Sequence, residues 1–173
     1  MRSPPLSLTG GVALLALGFA ALAEVTPRLV YNGSRSVPIG WYAVERKAFY
    51  SHGDLVLATP PEAFGRLIER RGYLPPGVPL IKHVAALPGD HVCYRDGTLT
   101  VTHVDKTRPV ATVRPRSTDR SGRVMPLWTE CRRMRDGEVF LLLQDTDASL
   151  DSRYFGPVPV SSIEGTVRPL SWR

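Results

Sequence analysis

Cysteine is scarce in this chain: two in 173 residues, Cys93 and Cys131. They lie too far apart for a Cys-x-x-Cys redox or zinc motif, and no zinc-finger spacing occurs. They either form one disulfide, which suits an oxidising compartment, or remain as two buried thiols. Long runs of one charge are lacking too. The net charge is +6, yet the longest basic cluster, Arg132-Arg133-Met134-Arg135, is short. A nucleic-acid partner is therefore not expected. Internal repeats and low-complexity tracts are absent, and no residue cluster calls for a metal or cofactor.

What is present points to a folded β protein. Apolar residues make up 43% and charged residues 22%, ordinary for a globular domain. Sixteen Pro and fifteen Gly favour loops and strands over a helical bundle. From Ser3 to Ala23 no residue is charged, and Val12 to Ala23 is almost entirely Ala, Leu, Phe and Val. About 20 such residues in a helix span a bilayer core of ~30 Å. Arg2 before the run favours a cytoplasmic start. Ala21-Leu22-Ala23 also offers an A-x-A cleavage site. The chain thus divides into residues 1–24, an anchor or signal helix meeting lipid through residues 6–23, and an exported domain over 25–173.

Within that domain residues 24–33 read as a linker or first strand. Thr59-Pro60-Pro61-Glu62 reads as a helix start, with Thr59 as cap, Pro60 at the first helical position and Glu62 closing a capping box. Phe64, Leu67 and Ile68 then share one face, and Gly72 is a stop. Strands are predicted at 55–58, 80–87, 90–95, 98–104, 138–143 and 163–168. Asp96-Gly97 is the strongest hairpin signal. Residues 105–136 are polar and Arg-rich, an excursion or small β subdomain. The fold class expected is mainly β, with antiparallel strands, one short helix and a preceding transmembrane or signal helix.

Three segments carry chemistry. In Asn32-Gly33-Ser34-Arg35-Ser36-Val37-Pro38-Ile39-Gly40-Trp41-Tyr42, two serines sit two apart in a Gly/Pro-rich turn soon after the apolar run. Alone this is an ordinary surface turn. In Ile81-Lys82-His83-Val84-Ala85-Ala86-Leu87-Pro88-Gly89-Asp90, a lysine enters an apolar strand. It either points to solvent or is desolvated, which would lower its pKa toward roughly 7–8 and make the neutral amine a base. Asp151-Ser152-Arg153-Tyr154-Phe155-Gly156-Pro157-Val158 places acid and base two apart; by itself that is a surface ion pair of little worth.

Taken together and in this order, these segments resemble the type I signal peptidase family. Gly53-Asp54-Leu55-Val56, Lys82 through Leu87-Pro88-Gly89-Asp90, and Asp151 to Val158 stand where that family has its motifs. Within it, the Asn32-x-Ser34-x-Ser36-x-Pro38-x-Gly40-x-Tyr42 pattern is similar to the conjugative-transfer peptidases of the TraF type. Gln144-Asp145-Thr146-Asp147 departs from the Gly-Asp-Asn of leader peptidases. The resemblance implies a serine peptidase with Ser36 as nucleophile and Lys82 as general base. It implies Ser34 as oxyanion donor, Ser149 as the residue orienting Lys82, and Asp151 and Arg153 as supports. It also implies a precursor protein as substrate, a propilin or another preprotein, and a place in the bacterial inner membrane with the catalytic domain on the periplasmic side.

A peptidase acting on membrane-borne precursors gains local concentration from a retained anchor. The membrane-extracted protein is therefore expected to keep its N-terminal segment. N-terminal sequencing checks this, and a start at Glu24 overturns the anchor.

Overall fold

The computed structural model describes residues 29–170. The expected anchor over 1–24 lies outside them, and among the described residues no helix is long and apolar enough to cross a membrane. Two antiparallel sheets carry the fold. The larger is built from β1 (Leu29–Asn32), β2 (Gly40–Glu45), β3 (Leu55–Ala58), β4 (Leu80–Ala86), β9 (Glu138–Leu142), β10 (Val158–Pro159) and β11 (Ile163–Pro169), in the order β1-β2-β11-β3-β4-β9-β10. The smaller has β5 (His91–Arg95), β6 (Thr98–Thr102), β7 (Ala111–Val113) and β8 (Cys131–Arg133), in the order β7-β6-β5-β8.

β4 runs through the middle of the large sheet, and six of its seven residues are buried. Its near-continuous apolar run reflects cover on both faces. Val84 packs with Val56, Val139, Leu141 and Ile163 on one side. Ala85 and Ala86 join Phe140 and Leu142 in the cluster that receives Val92, Leu99 and Val101 of the small sheet. The β5–β6 hairpin turns at Asp96-Gly97, both with positive φ (51° and 74°), as a tight hairpin turn requires. The polar stretch 105–136 supplies β7 and β8 to the small sheet. Cys93 and Cys131 face each other in register on β5 and β8 and are disulfide-bonded.

One helix follows the predicted pattern. α1 (Glu62–Arg70) buries Phe64 and Ile68 against Met125 and Tyr154, and Gly72 with φ 68° follows its end. Its start differs from the capping box expected at Thr59. Pro61 stands at the cap with no side-chain cap bond. Thr59 instead donates through its hydroxyl to Glu164 Oε1 at 2.9 Å and through its N–H to Ser162 O at 2.9 Å. It finishes β3 against β11, so its hydroxyl is used sideways. A second helix, the single turn α2 (Ser152–Phe155), is capped by the Asp151 side chain and ended by Gly156.

Gly156 is the position in that turn least tolerant of a side chain. Its φ is 76°, and an added Cβ would lie 2.5 Å from Trp128 Cδ1. Trp128 is itself packed edge-on to Phe140. Gly156→Ala is expected to destabilise the domain by about 3 kcal/mol. Thermal denaturation against the parent checks it, and an unchanged Tm would refute the clash.

Candidate active site

The loop bearing Ser36 is pinned from below. Residues 33–39 close the β1–β2 hairpin, whose last pair is Asn32 with Gly40. The Asn32 amide is buried beneath the loop and donates to Val37 O (2.9 Å), Ser34 O (2.8 Å) and Pro38 O (3.1 Å). Its Oδ1 accepts from the Ser34 N–H (3.0 Å) and hydroxyl (2.8 Å). From the other strand the Tyr42 hydroxyl donates to Pro38 O at 2.7 Å. Val37 drops into an apolar cluster with Leu57, Ile81 and Val167. Ser34 and Ser36 are left half-buried at the cleft surface, their hydroxyl oxygens 2.7 Å apart. The single Ser34 proton goes to Asn32 Oδ1, which can only accept, so Ser36 is the donor in the serine pair. No backbone hydrogen bond occupies the Ser36 N–H among the described residues.

Lys82 arrives from β4, paired with Val56 of β3. It is 4% exposed, so of the two orientations open to a strand lysine the fold takes the desolvated one. Burial pushes its ammonium down to about 8; the Asp151 charge opposes this fall and Arg153 adds to it. Its Nζ donates to Ile81 O at 2.9 Å. Ser149 is 2% exposed, and its hydroxyl has no hydrogen-bond partner among the described residues.

Ser34, Ser36, Lys82 and Ser149 all line one open cleft of about 890 Å³. Asp151 and Arg153 sit behind it, fully buried, joined by Arg153 Nε on Asp151 Oδ1 (2.7 Å) and Nη2 on Oδ2 (3.0 Å). The disulfide lies away from the cleft, in the small sheet. The Lys82 amine is hydrogen-bonded to its own strand and to neither serine hydroxyl. The roles of Asn32 and Tyr42 were not read from the sequence. Their signal was the two-residue spacing that runs from Asn32 to Tyr42 on both sides of Ser36.

The one group of metal-ligating side chains among the described residues is His52, Asp90 and His103, outside this cleft. His52 Nε2 meets Asp90 Oδ2 at 2.6 Å, and Asp90 also accepts from Leu87 N and Val104 N. The two imidazoles stack at 3.7 Å with 15° between planes. Stacked so, they cannot both aim an in-plane lone pair at one ion. The group braces the turn that follows β4.

Known proteins resemble this chain over most of its length. Residues 6–172 match the family described as signal peptidase, peptidase S26. The chain is 36% identical to the conjugal transfer protein TraF of Agrobacterium fabrum (strain C58), over 92% of each. It is 32% identical to a plasmid transfer protein TraF of Escherichia coli, over 96% of this chain and 94% of that one. A signal peptidase I of Enterococcus faecalis V583 aligns with 70% of this chain and 98% of its own, at 22% identity and TM-score 0.39. On the family match and the relatives above 30% identity, the chain belongs to the signal peptidase S26 family.

Proposed function

We propose that this protein is a membrane-anchored endopeptidase with a Ser36–Lys82 dyad that matures an exported precursor during conjugative transfer. The observation that carries the reading is a lysine buried to 4% exposure, its ammonium lowered to about 8, opening on the same cleft as a serine hydroxyl. Neutral Lys82 swings from Ile81 O and takes the Ser36 proton as Oγ attacks the scissile carbonyl. The oxyanion is received by the Ser36 N–H and by Ser34, whose hydroxyl turns from Asn32 Oδ1 to donate to it. The tetrahedral adduct collapses, the Lys82 ammonium protonates the departing amine, and an acyl-enzyme remains. Lys82 then deprotonates the second nucleophile, which is water in hydrolysis or the substrate's own N-terminal amine in cyclisation. Ser149 offers the unused hydroxyl that holds the lysine in its forward position.

The relatives named for conjugal and plasmid transfer support a role in conjugative transfer, and the substrate proposed within it is a pilin precursor. Small side chains are expected before the cleaved bond, with the peptide docked as an added strand. Co-expression with a propilin and with ordinary preproteins tests this. Preferential propilin processing is expected, and equal cleavage of both favours a general signal peptidase.

Ser36→Ala and Lys82→Met are each expected to lower precursor cleavage at least ~10³-fold without unfolding the domain. Normal processing by both would make the chain a non-catalytic binding module. Because the base must be neutral, kcat/KM is expected to rise with pH through about 8 and then level.

Stability carries the same signature with its own sign. The folded lysine loses its proton near 8, whereas the unfolded one holds it to about 10.5. Between those values the unfolded chain binds more protons, so stability rises with pH across that window. Denaturant titrations at several pH values are expected to show this slope in the parent and to lose it in Lys82→Met.

A further inference from the structure

The cleft is markedly lopsided in charge. Besides Lys82 it is lined by Arg71, Arg116, Arg120 and Arg123, and among the described residues Asp119 is the only carboxylate on its wall. That carboxylate is already taken. It accepts from the Tyr73 hydroxyl, from Arg123 Nε at 2.7 Å, and from the N–H groups of Ser121 and Arg123. Arg71 stands 3.8 Å from it and donates to Val124 O at 2.8 Å. These bonds, led by the one from Tyr73, hold Asp119 ionised well below the usual carboxylate range. They also fix the 117–125 hairpin, closed by the Thr118–Val124 bridge, as a rigid wall of the cleft.

Arg120 lies on this hairpin and Arg116 immediately precedes it, and both are exposed. Arg116 is tied only through its backbone N–H, to the Tyr154 hydroxyl at 3.2 Å. Neither guanidinium pairs with a carboxylate among the described residues. A cleft that bound only small apolar side chains would gain nothing from two uncompensated guanidinium groups on its wall. A guanidinium recognises a carboxylate by two parallel N–H donors, which gives direction as well as charge.

We infer that Arg116 and Arg120 form a carboxylate subsite, which selects precursor peptides carrying an acidic group within a few residues of the cleaved bond. The inference deepens the peptidase reading above and rests on it for the identity of the bound peptide. Such a subsite adds discrimination where shallow apolar pockets supply little, and it favours one threading direction through the cleft.

The test uses the full-length chain in detergent and a set of peptides around one cleavage sequence. One arm places Glu at successive positions on either side of the bond, and another has Gln there. A third compares free with amidated C-termini, which separates a side-chain acid from a terminal carboxylate. The quantity read is the acidic-to-neutral ratio of kcat/KM, and of affinity measured with Ser36→Ala so that binding is seen without turnover. A preference of roughly five- to tenfold is expected in one register. It should fall toward unity in Arg116→Gln/Arg120→Gln and in high salt. It should invert toward lysine-bearing peptides in Arg116→Glu/Arg120→Glu. Cleavage with no acidic preference in any register overturns the subsite and leaves the peptidase standing. An acidic preference in binding with no cleavage by the parent does the reverse. Unchanged peptide ratios with lost binding to phosphatidylglycerol vesicles would assign the arginines to the lipid surface and overturn the inference.

Discussion

The edge of β9 is where the architecture is decided. β4 covers one side of this strand, and on the other β10 pairs with it only as far as Val139. Beyond that point the N–H groups of Leu141 and Leu143 face a side with no strand. Three consecutive side chains complete the ladder. Ser152 Oγ accepts from Leu141 N, Asp151 Oδ2 accepts from Leu143 N, and Arg153 Nη2 donates to Leu143 O at 2.6 Å. The Asp151–Arg153 pair is wholly buried, so removing either partner would strand the other charge and cost about 3–5 kcal/mol. The Asp-Ser-Arg sequence therefore substitutes for a missing strand.

That substitution has a chemical consequence one strand away. Leu143 lies one residue beyond the His83–Leu142 pair, beside Lys82. A mobile edge there would admit water and rehydrate the ammonium. Sealed by side chains, the same place is dry, and burial becomes the largest influence on Lys82. Asp151 opposes the fall this causes and Arg153 adds to it, and the amine is left near 8. The ion pair thus holds the edge beside the lysine, while its two charges act on the amine in opposite directions.

Much of this was legible from residues alone, for physical reasons that differ by element. β3, β4, β9 and the Asp96-Gly97 hairpin show apolar runs or turn residues that admit little else. α1 is amphipathic and long enough to display its period. β2 gives little local sign of its start, because its Gly-Trp-Tyr-Ala-Val-Glu sequence follows directly on a Gly/Pro-rich turn. α2 is one turn, too short for any periodicity, and its cap is a long-range event. Thr59 carried every local sign of a cap, but a carboxylate on β11 claimed its hydroxyl. At the cleft, Ser34 and Ser36, Lys82, and Ser149, from three distant stretches of sequence, line one opening. The direction in which Lys82 points at rest did not follow from sequence, because a rotamer is set by the nearest acceptor and leaves no trace in residue spacing.

The anchoring of the 33–39 loop also bears on how the protein can change over time. Asn32 and Tyr42 hold the loop through main-chain carbonyls, and Val37 holds it through an apolar plug. None of these contacts involves the side chains of Arg35 or Ile39, which face outward. Those two positions are free to drift, generation by generation, without displacing the serine between them. The loop separates positions whose contacts hold its shape from positions that bear none of that load.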